Sequence, residues 1–239
     1  MAQPAIRITW LGHSTFRIHS AKGKTLLIDP WVRNNPACPD AEKENRPLDA
    51  ILITHGHFDH IGDAVEIARA VKPGAVVAIY ETTAWLGRKG VENCVGMNKG
   101  GTVEIAPGIS ATMVYADHSC GILDEGQIIY GGDPCGYVIE FENGTRIYHA
   151  GDTNVFGDMK LISELYKPDI ALLPIGDLYT MGPREAALAI KLLGTKRVVP
   201  MHHSTFPALT GTPAALRQAT ADIPGLQIID LKPGESTEV

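Results

Sequence analysis

Apolar residues in the first fifty positions come in short runs bounded by turn-forming residues, a pattern of strands. Ile6 to Trp10, Thr15 to His19, Thr25 to Asp29 and Ala50 to Thr54 are predicted strands, the last ending at His55. From Asp63 to Val71 the period changes. Val65, Ile67, Ala68 and Val71 recur at helical spacing, and Pro73-Gly74 closes the segment. Ala75 to Tyr80 predicts a buried strand and Thr82 to Lys89 a short helix. The second half repeats the rhythm. Strands are predicted near 102–105, 109–115, 135–141 and 145–149, with Asn143-Gly144 as a hairpin turn between the last two. Helices follow near 158–166, 183–193 and 212–221, and Pro183 suits a first helical turn. Ile170 to Pro174, Arg197 to Met201 and Leu226 to Ile229 are predicted buried strands. A strand-rich stretch followed by helix–strand alternation, occurring twice without a linker, predicts one domain over 1–239. Two sheets pack together in it, with helices outside.

Composition narrows the function classes. With 239 residues and 44% hydrophobic content the chain can bury a sizeable core, which excludes disordered, fibrous and membrane readings of the whole. The net charge of −6, with no block of Lys or Arg, sets nucleic acid aside as a partner. The four cysteines, at 38, 94, 120 and 135, form no CxxC pair, so neither a disulfide framework nor a thiolate zinc site is expected. A reducing cytoplasm is the expected location, and MAQPAIRITW has neither the basic start nor the apolar run of a signal peptide. No spanning segment is expected, and a homo-oligomer is compatible with the composition.

The chemistry-bearing segment is His55-Gly56-His57-Phe58-Asp59-His60. Four potential metal ligands fall within six residues where a strand ends and a helix is about to begin, a place where loops carry chemistry. Imidazole suits zinc, iron and manganese, and a carboxylate adds a harder donor. His55 and His57 project to the same side of an extended segment. Asp59 and His60 follow a turn and can face a second, adjacent position, so one cluster can serve two ions.

This segment resembles the HxHxDH signature of the metallo-β-lactamase superfamily. Asp29 in LLIDPW, His118 in ADHSC, Asp152 in HAGDT and a histidine of VVPMHHSTFP match the remaining motifs in order. WLGHSTFRI at 10–18, MGPREA at 181–186 and the closing PMHHSTFP are most similar to a narrower branch of bacterial and archaeal metal-dependent hydrolases. That branch is similar in turn to the L-ascorbate-6-phosphate lactonases. The resemblance implies an α+β fold, the αββα four-layer sandwich. It implies two divalent metal ions, zinc first with manganese or iron as alternatives. His55, His57 and His118 would bind one, Asp59, His60 and a C-terminal histidine the other, with Asp152 bridging. Neighbours on a strand face opposite ways, so only one of His202 and His203 faces the metals, and the branch pattern matches His202. His203 would then line the pocket or hydrogen-bond a substrate.

His13 has two readings: a turn histidine bonded to backbone, or a group near the metals. Asp29 is expected to orient the site by hydrogen bonds. His149 has two readings, support of a metal ligand or simple packing; His19 is expected to be structural, and Cys120 is not expected to be a nucleophile. Asp177, Tyr179 and Thr180 either rim the site or form a helix-capping turn. The implied activity is hydrolysis of an ester, lactone or phosphodiester by a hydroxide bridging the two ions, with Asp59 assisting and a small molecule as substrate. A nuclease of the ribonuclease Z type and a non-catalytic metal-binding relative are the alternatives.

Overall fold

The computed structural model describes residues 5–239. The first sheet is built from β1 (Arg7–Trp10), β2 (Phe16–His19), β3 (Thr25–Ile28) and β4 (Ala50–Leu52). After α1 (Phe58–Ile61) and α2 (Ala64–Val71), it continues with β5 (Ala75–Ile79), α3 (Tyr80–Arg88) and β6 (Cys94–Met97). The second sheet begins with β7 (Thr102–Ala106) and β8 (Ile109–Tyr115). A separate ribbon of β9 (Gly121–Asp124) and β10 (Gln127–Tyr130) intervenes before β11 (Cys135–Glu140) and β12 (Arg146–His149). The chain then runs α4 (Met159–Tyr166), β13 (Ile170–Pro174), α5 (Pro183–Leu193), β14 (Arg197–Met201), α6 (Pro213–Ala219), β15 (Gln227–Ile228) and β16 (Ser236–Glu238).

Each large sheet has seven strands, in the orders β16-β1-β2-β3-β4-β5-β6 and β15-β14-β13-β12-β11-β8-β7. In each, four strands pair antiparallel at one end and the remaining pairs run parallel. This is the doubled rhythm seen in the sequence. β16 returns from the C-terminus to the free edge of β1, so the two halves are closed by one strand exchange.

The inner parallel strands are buried on both faces, which is why they read as unbroken apolar runs. On β3, Leu26 and Ile28 join the core between the sheets, while Leu27 joins the outer cluster with Ile61, Ile67 and Leu86 of the helices. β4 and β5 divide in the same way: Leu52 and Val77 face inward, Ile51 and Val76 outward. On the far side, Ile162 of α4 and Ala186, Ile190 and Leu193 of α5 extend the inner core. Helix, sheet, sheet, helix is the resulting order of layers.

Five elements were not predicted. α1 is a single turn inside the histidine motif. β6 carries Gly96, whose added Cβ would sit 2.8 Å from Thr83 Oγ1, and its residues are only partly buried. β16 is a polar edge strand with no apolar pattern to announce it. The β9–β10 ribbon turns through Glu125 (φ 50) and Gly126 (φ 79), a tight turn needing left-handed backbone at both central residues. Glutamate at the first of these gives no turn signal. α2 starts as expected, but Asp63 does not cap it. Its carboxylate accepts instead from the Val32 and Arg33 amides and the Asn34 side chain, pinning the loop after β3.

Candidate metal centre

Most residues of the predicted site lie just beyond the end of a strand or in the turn between two. His55 and His57 follow β4, His118 follows β8, Asp152 follows β12 and His202 follows β14, while Asp59 and His60 sit on α1. The two sheets thus present their strand ends to one another along a common rim. Gly151 lets the chain turn into it: a Cβ there would come within 2.6 Å of Cys135 O and 2.9 Å of Thr54 Cβ.

Two main groups of donor atoms meet at this rim, His55, His57 and His118 in one and His13, Asp59, His60 and His202 in the other, and a third group, His55, His60 and Asp152, overlaps both; the donor atoms of each group lie within 4.8 Å of one another. Nδ1 of His57 lies 3.0 Å from His55 Nε2 and 3.3 Å from His118 Nε2. Nitrogens held about 2.05 Å from a tetrahedral zinc ion are about 3.3 Å apart, so these three imidazoles already stand at the corners of such a site. Asp152 joins the groups. Its Oδ2 is 2.9 Å from His202 Nε2, 3.2 Å from His60 Nε2, 3.7 Å from His118 Nε2 and 3.9 Å from His55 Nε2.

Surrounding hydrogen bonds decide which nitrogen each ring presents. Asp29 is wholly buried and accepts from the Thr54 amide, the Thr54 hydroxyl and His60 Nδ1, each at 2.8 Å. Because the Thr54 hydroxyl spends its proton on Asp29, it accepts from His55 Nδ1, 3.0 Å away. One carboxylate therefore leaves the Nε2 lone pairs of both His55 and His60 facing the centre. Ser119 Oγ holds His57 Nε2 at 3.2 Å, freeing Nδ1. His60 Nε2 is buried and faces Asp152 Oδ2 at 3.2 Å without well-aligned hydrogen-bond geometry.

Charge follows the same logic. Burial, then the charge of His60, drives the pKa of His55 well below its usual value and that of His57 down as well. Burial lowers His118 too, against the pull of Asp152. The neutral imidazole is the form that binds metal. His60 differs: burial opposes its charge, but Asp152 and Asp29 push its pKa well above normal. A cation at Nε2 would take the place of that proton. Burial works against the carboxylates of Asp152 and Asp59. His202 and His60 nevertheless hold Asp152 well below its ordinary range, and the hydrogen bond from His13 helps pull Asp59 down to about 2. The donor set fits divalent ions.

His13, which has two readings in the sequence, falls in the second donor group. It is fully buried, with Nε2 3.0 Å from Asp59 Oδ2 and Nδ1 3.0 Å from Thr205 Oγ1. Its ring centroid lies 3.9 Å from that of His202, and burial together with His202 lowers its pKa to about 4. His203, by contrast, packs its ring 5.0 Å from Trp10, bonds Ser204 through Nδ1 and stands outside both groups. His149 bonds the backbone of Ser14 and Gly151. Cys120 is buried, with its thiol pKa raised by burial and its sulfur bonded to the Gly56 amide and Gly131 carbonyl. The loop before α5 divides: Tyr179 lines the cavity above the centre, whereas Asp177 accepts from the Leu178 amide and Thr210 hydroxyl, and Gly182 precedes the helix without a side-chain cap.

The description "Beta-lactamase superfamily domain" fits residues 24–203. A UPF0173 metal-dependent hydrolase of Koribacter versatilis is 55% identical over 231 residues, 97% of each chain. The chain belongs to the UPF0173 metal-dependent hydrolase family. Another member, from Solibacter usitatus, is 52% identical over 98% of this chain and all of its own length. Among solved structures, Igni18, a metallo hydrolase from Ignicoccus hospitalis, is 36% identical, with a TM-score of 0.87 over 98% of both chains. An isothiocyanate hydrolase from Delia radicum gut bacteria shares the fold, with a TM-score of 0.71 at 24% identity over 97% of this chain and 98% of its own. The superfamily and the αββα fold implied by the motifs are thereby shown, and the protein is a metal-dependent hydrolase. His13 lies outside the matched segment. Among the described residues no helix is long and apolar enough to cross a membrane.

Proposed function

We propose that this UPF0173 member is a dinuclear hydrolase that cleaves an ester, lactone or phosphodiester bond in a small molecule. The observation that carries the reading is Asp152 Oδ2, one buried carboxylate oxygen facing imidazole nitrogens of both donor groups. A single ion needs no such shared oxygen. His55, His57 and His118 would hold one ion. Asp59, His60 and His202 would hold the other, zinc suiting the histidine-rich set and manganese or iron being the alternatives. When bound, a pair of divalent ions lowers the pKa of water toward neutrality and polarises the substrate oxygen.

The chain's own residues do the rest. Asp59 lies in the lining of the cavity, ionised and held by His13, where it can orient the attacking water and take its proton. Asp29 and Thr54 fix the rings of His60 and His55, so no reorganisation is needed when substrate arrives.

The test is metal content of the purified protein by elemental analysis, with turnover of bis(p-nitrophenyl) phosphate and a lactone panel before and after chelation. About two equivalents of metal with chelator-sensitive turnover are expected. A reconstituted protein that binds one equivalent, or binds two and hydrolyses nothing, defeats the proposal. His57→Ala and Asp152→Ala should both lower metal content, the second at both positions.

A further inference from the structure

Above the donor groups opens a cavity of about 810 Å³, within the usual range for sites that enclose a small organic ligand. His57, Asp59, His118, Ser119, Asp152 and His202 are polar members at its floor, Tyr179 adds a phenol hydroxyl, and no lysine or arginine is among the lining residues. Phe58, Leu123, Ile128, Tyr179 and Phe206 make up most of the remaining wall.

The β9–β10 ribbon explains why that wall is apolar. Its strands are in register, so Ile122 pairs with Ile129 and Leu123 with Ile128. The first pair turns inward: Ile122 is buried in the outer core cluster and Ile129 packs against it. The second pair is on the other face, and Leu123 is 63% exposed and Ile128 80% exposed. A two-stranded ribbon with one buried face normally carries polar residues on the other. Here both faces are apolar, and the unburied one forms the side of the cavity whose floor is the metal centre. Tyr179 and Phe58, also more than half exposed, belong to the same cavity.

Resting on the reading of the site as a hydrolase, we propose that the substrate is an uncharged carboxylic ester or lactone bearing an apolar chain, which lies against Leu123 and Ile128 while its carbonyl reaches the metal centre. An anionic phosphodiester would meet an apolar wall and find no basic side chain for its second oxygen. In the reaction water adds across the acyl C–O bond. Its oxygen joins the carbonyl carbon, the alkoxy oxygen leaves with a proton, and an acid and an alcohol result without any co-reactant.

Burial of each methylene is worth about 0.8 kcal/mol, or about fourfold in affinity. The test uses the metal-loaded protein and the series methyl butyrate, hexanoate and octanoate, followed by acid release. Displacement of Nile red by the same esters gives a readout independent of turnover. The expected result is a rise in kcat/KM of more than about tenfold from butyrate to octanoate. Nile red should be displaced in the same order, and octanoate should exceed bis(p-nitrophenyl) phosphate as a substrate. Leu123→Ser with Ile128→Ser should remove most of the gain, with circular dichroism confirming the fold. A flat series overturns the inference, as does a preference for the phosphodiester or a gain that survives the double substitution. So does a flat series in which sedimentation shows a dimer that the double substitution dissociates, because the ribbon would then face a second copy of the chain. If no ester is cleaved yet octanoate displaces Nile red more than about tenfold better than butyrate, the ligand class stands and the hydrolase reading falls.

Discussion

Replacing Asp29 by asparagine tests whether one buried carboxylate sets the metal-facing atoms of two histidines. The substitution keeps shape, and asparagine tolerates the left-handed backbone that Asp29 adopts at φ 49, so strain is not introduced. What changes is donor and acceptor identity. Oδ1 accepts from the Thr54 amide, and Oδ2 accepts from both the Thr54 hydroxyl and His60 Nδ1. An asparagine that keeps its oxygen toward the Thr54 amide turns an NH2 group toward His60. His60 Nδ1 must then accept, which moves its proton to Nε2, the atom 3.2 Å from Asp152. A flipped amide satisfies His60 but sets two donors against each other at Thr54. Neither orientation satisfies both sides.

Loss of such an outer hydrogen bond typically weakens metal affinity 10- to 100-fold, which corresponds to about 1.4–2.8 kcal/mol. The loss should fall on the position served by His60, with a smaller effect on the His55 group through Thr54. Competition of metal-free protein against a fluorescent chelator resolves the two binding steps, and a thermal melt checks that the fold is kept. Two wild-type steps, each within about twofold of its original affinity, would refute the argument that Asp29 fixes the His60 tautomer.

Three further outcomes are expected. His202→Ala should lose metal at the Asp59 position while His203→Ala keeps it, read by elemental analysis; the reverse result would show that the ring packed on Trp10 is the one that swings to the centre. Gly176→Ala should destabilise the protein by about 1–3 kcal/mol and lower its metal affinity, because the new Cβ would lie 2.0 Å from the carbonyl oxygen of His202; an unchanged melting temperature would contradict the close approach. Chelation should lower the melting temperature in proportion to the logarithm of free metal relative to its dissociation constant, about 2.7 kcal/mol being lost from a site that had been at a hundredfold excess. A melting temperature indifferent to chelator would mean that the donor groups hold no ion.

Much of the fold was legible because the strands that carry it are buried on both faces and therefore unbroken in sequence. β13, β14 and α5 fall where their apolar patterns place them. The elements that escaped are those whose residues lack that burial: the edge strands β6 and β16, and the β9–β10 ribbon, whose turn uses Glu125 in a conformation usually given to glycine or asparagine. The candidate site was legible in a different way. Ligand types crowd into six residues at 55–60, and the remaining motifs follow in order. What spacing could not show is that the turn holding His13, far off in sequence, is folded onto Asp59 and His202. The apolar wall above the centre was equally hidden, because it depends on the register of a ribbon that the sequence did not announce.

The backbone carries a further signal of the site. His13, Asp29 and His202 all have left-handed backbone, with φ of 56, 49 and 54, a conformation costing roughly 1–2 kcal/mol for a residue with a side chain. Such strain persists only where the surroundings over-determine it, and here they do. The carbonyl of His13 accepts from the Trp10 indole at 2.8 Å and from the His202 amide at 3.0 Å, while the Asp29 amide donates to Leu52 at 2.9 Å. The first of these sets ties the β1–β2 turn of one sheet to the end of β14 in the other. The second ties β3 to β4 immediately before His55. The rim is thus stitched together by main-chain bonds before any ion is considered, and the imidazoles are presented from a frame that the ion does not have to build. A centre assembled in this way spends little binding energy on ordering its ligands, which is why substitutions in the frame, such as Gly176→Ala, should be felt in metal affinity although they remove no donor atom.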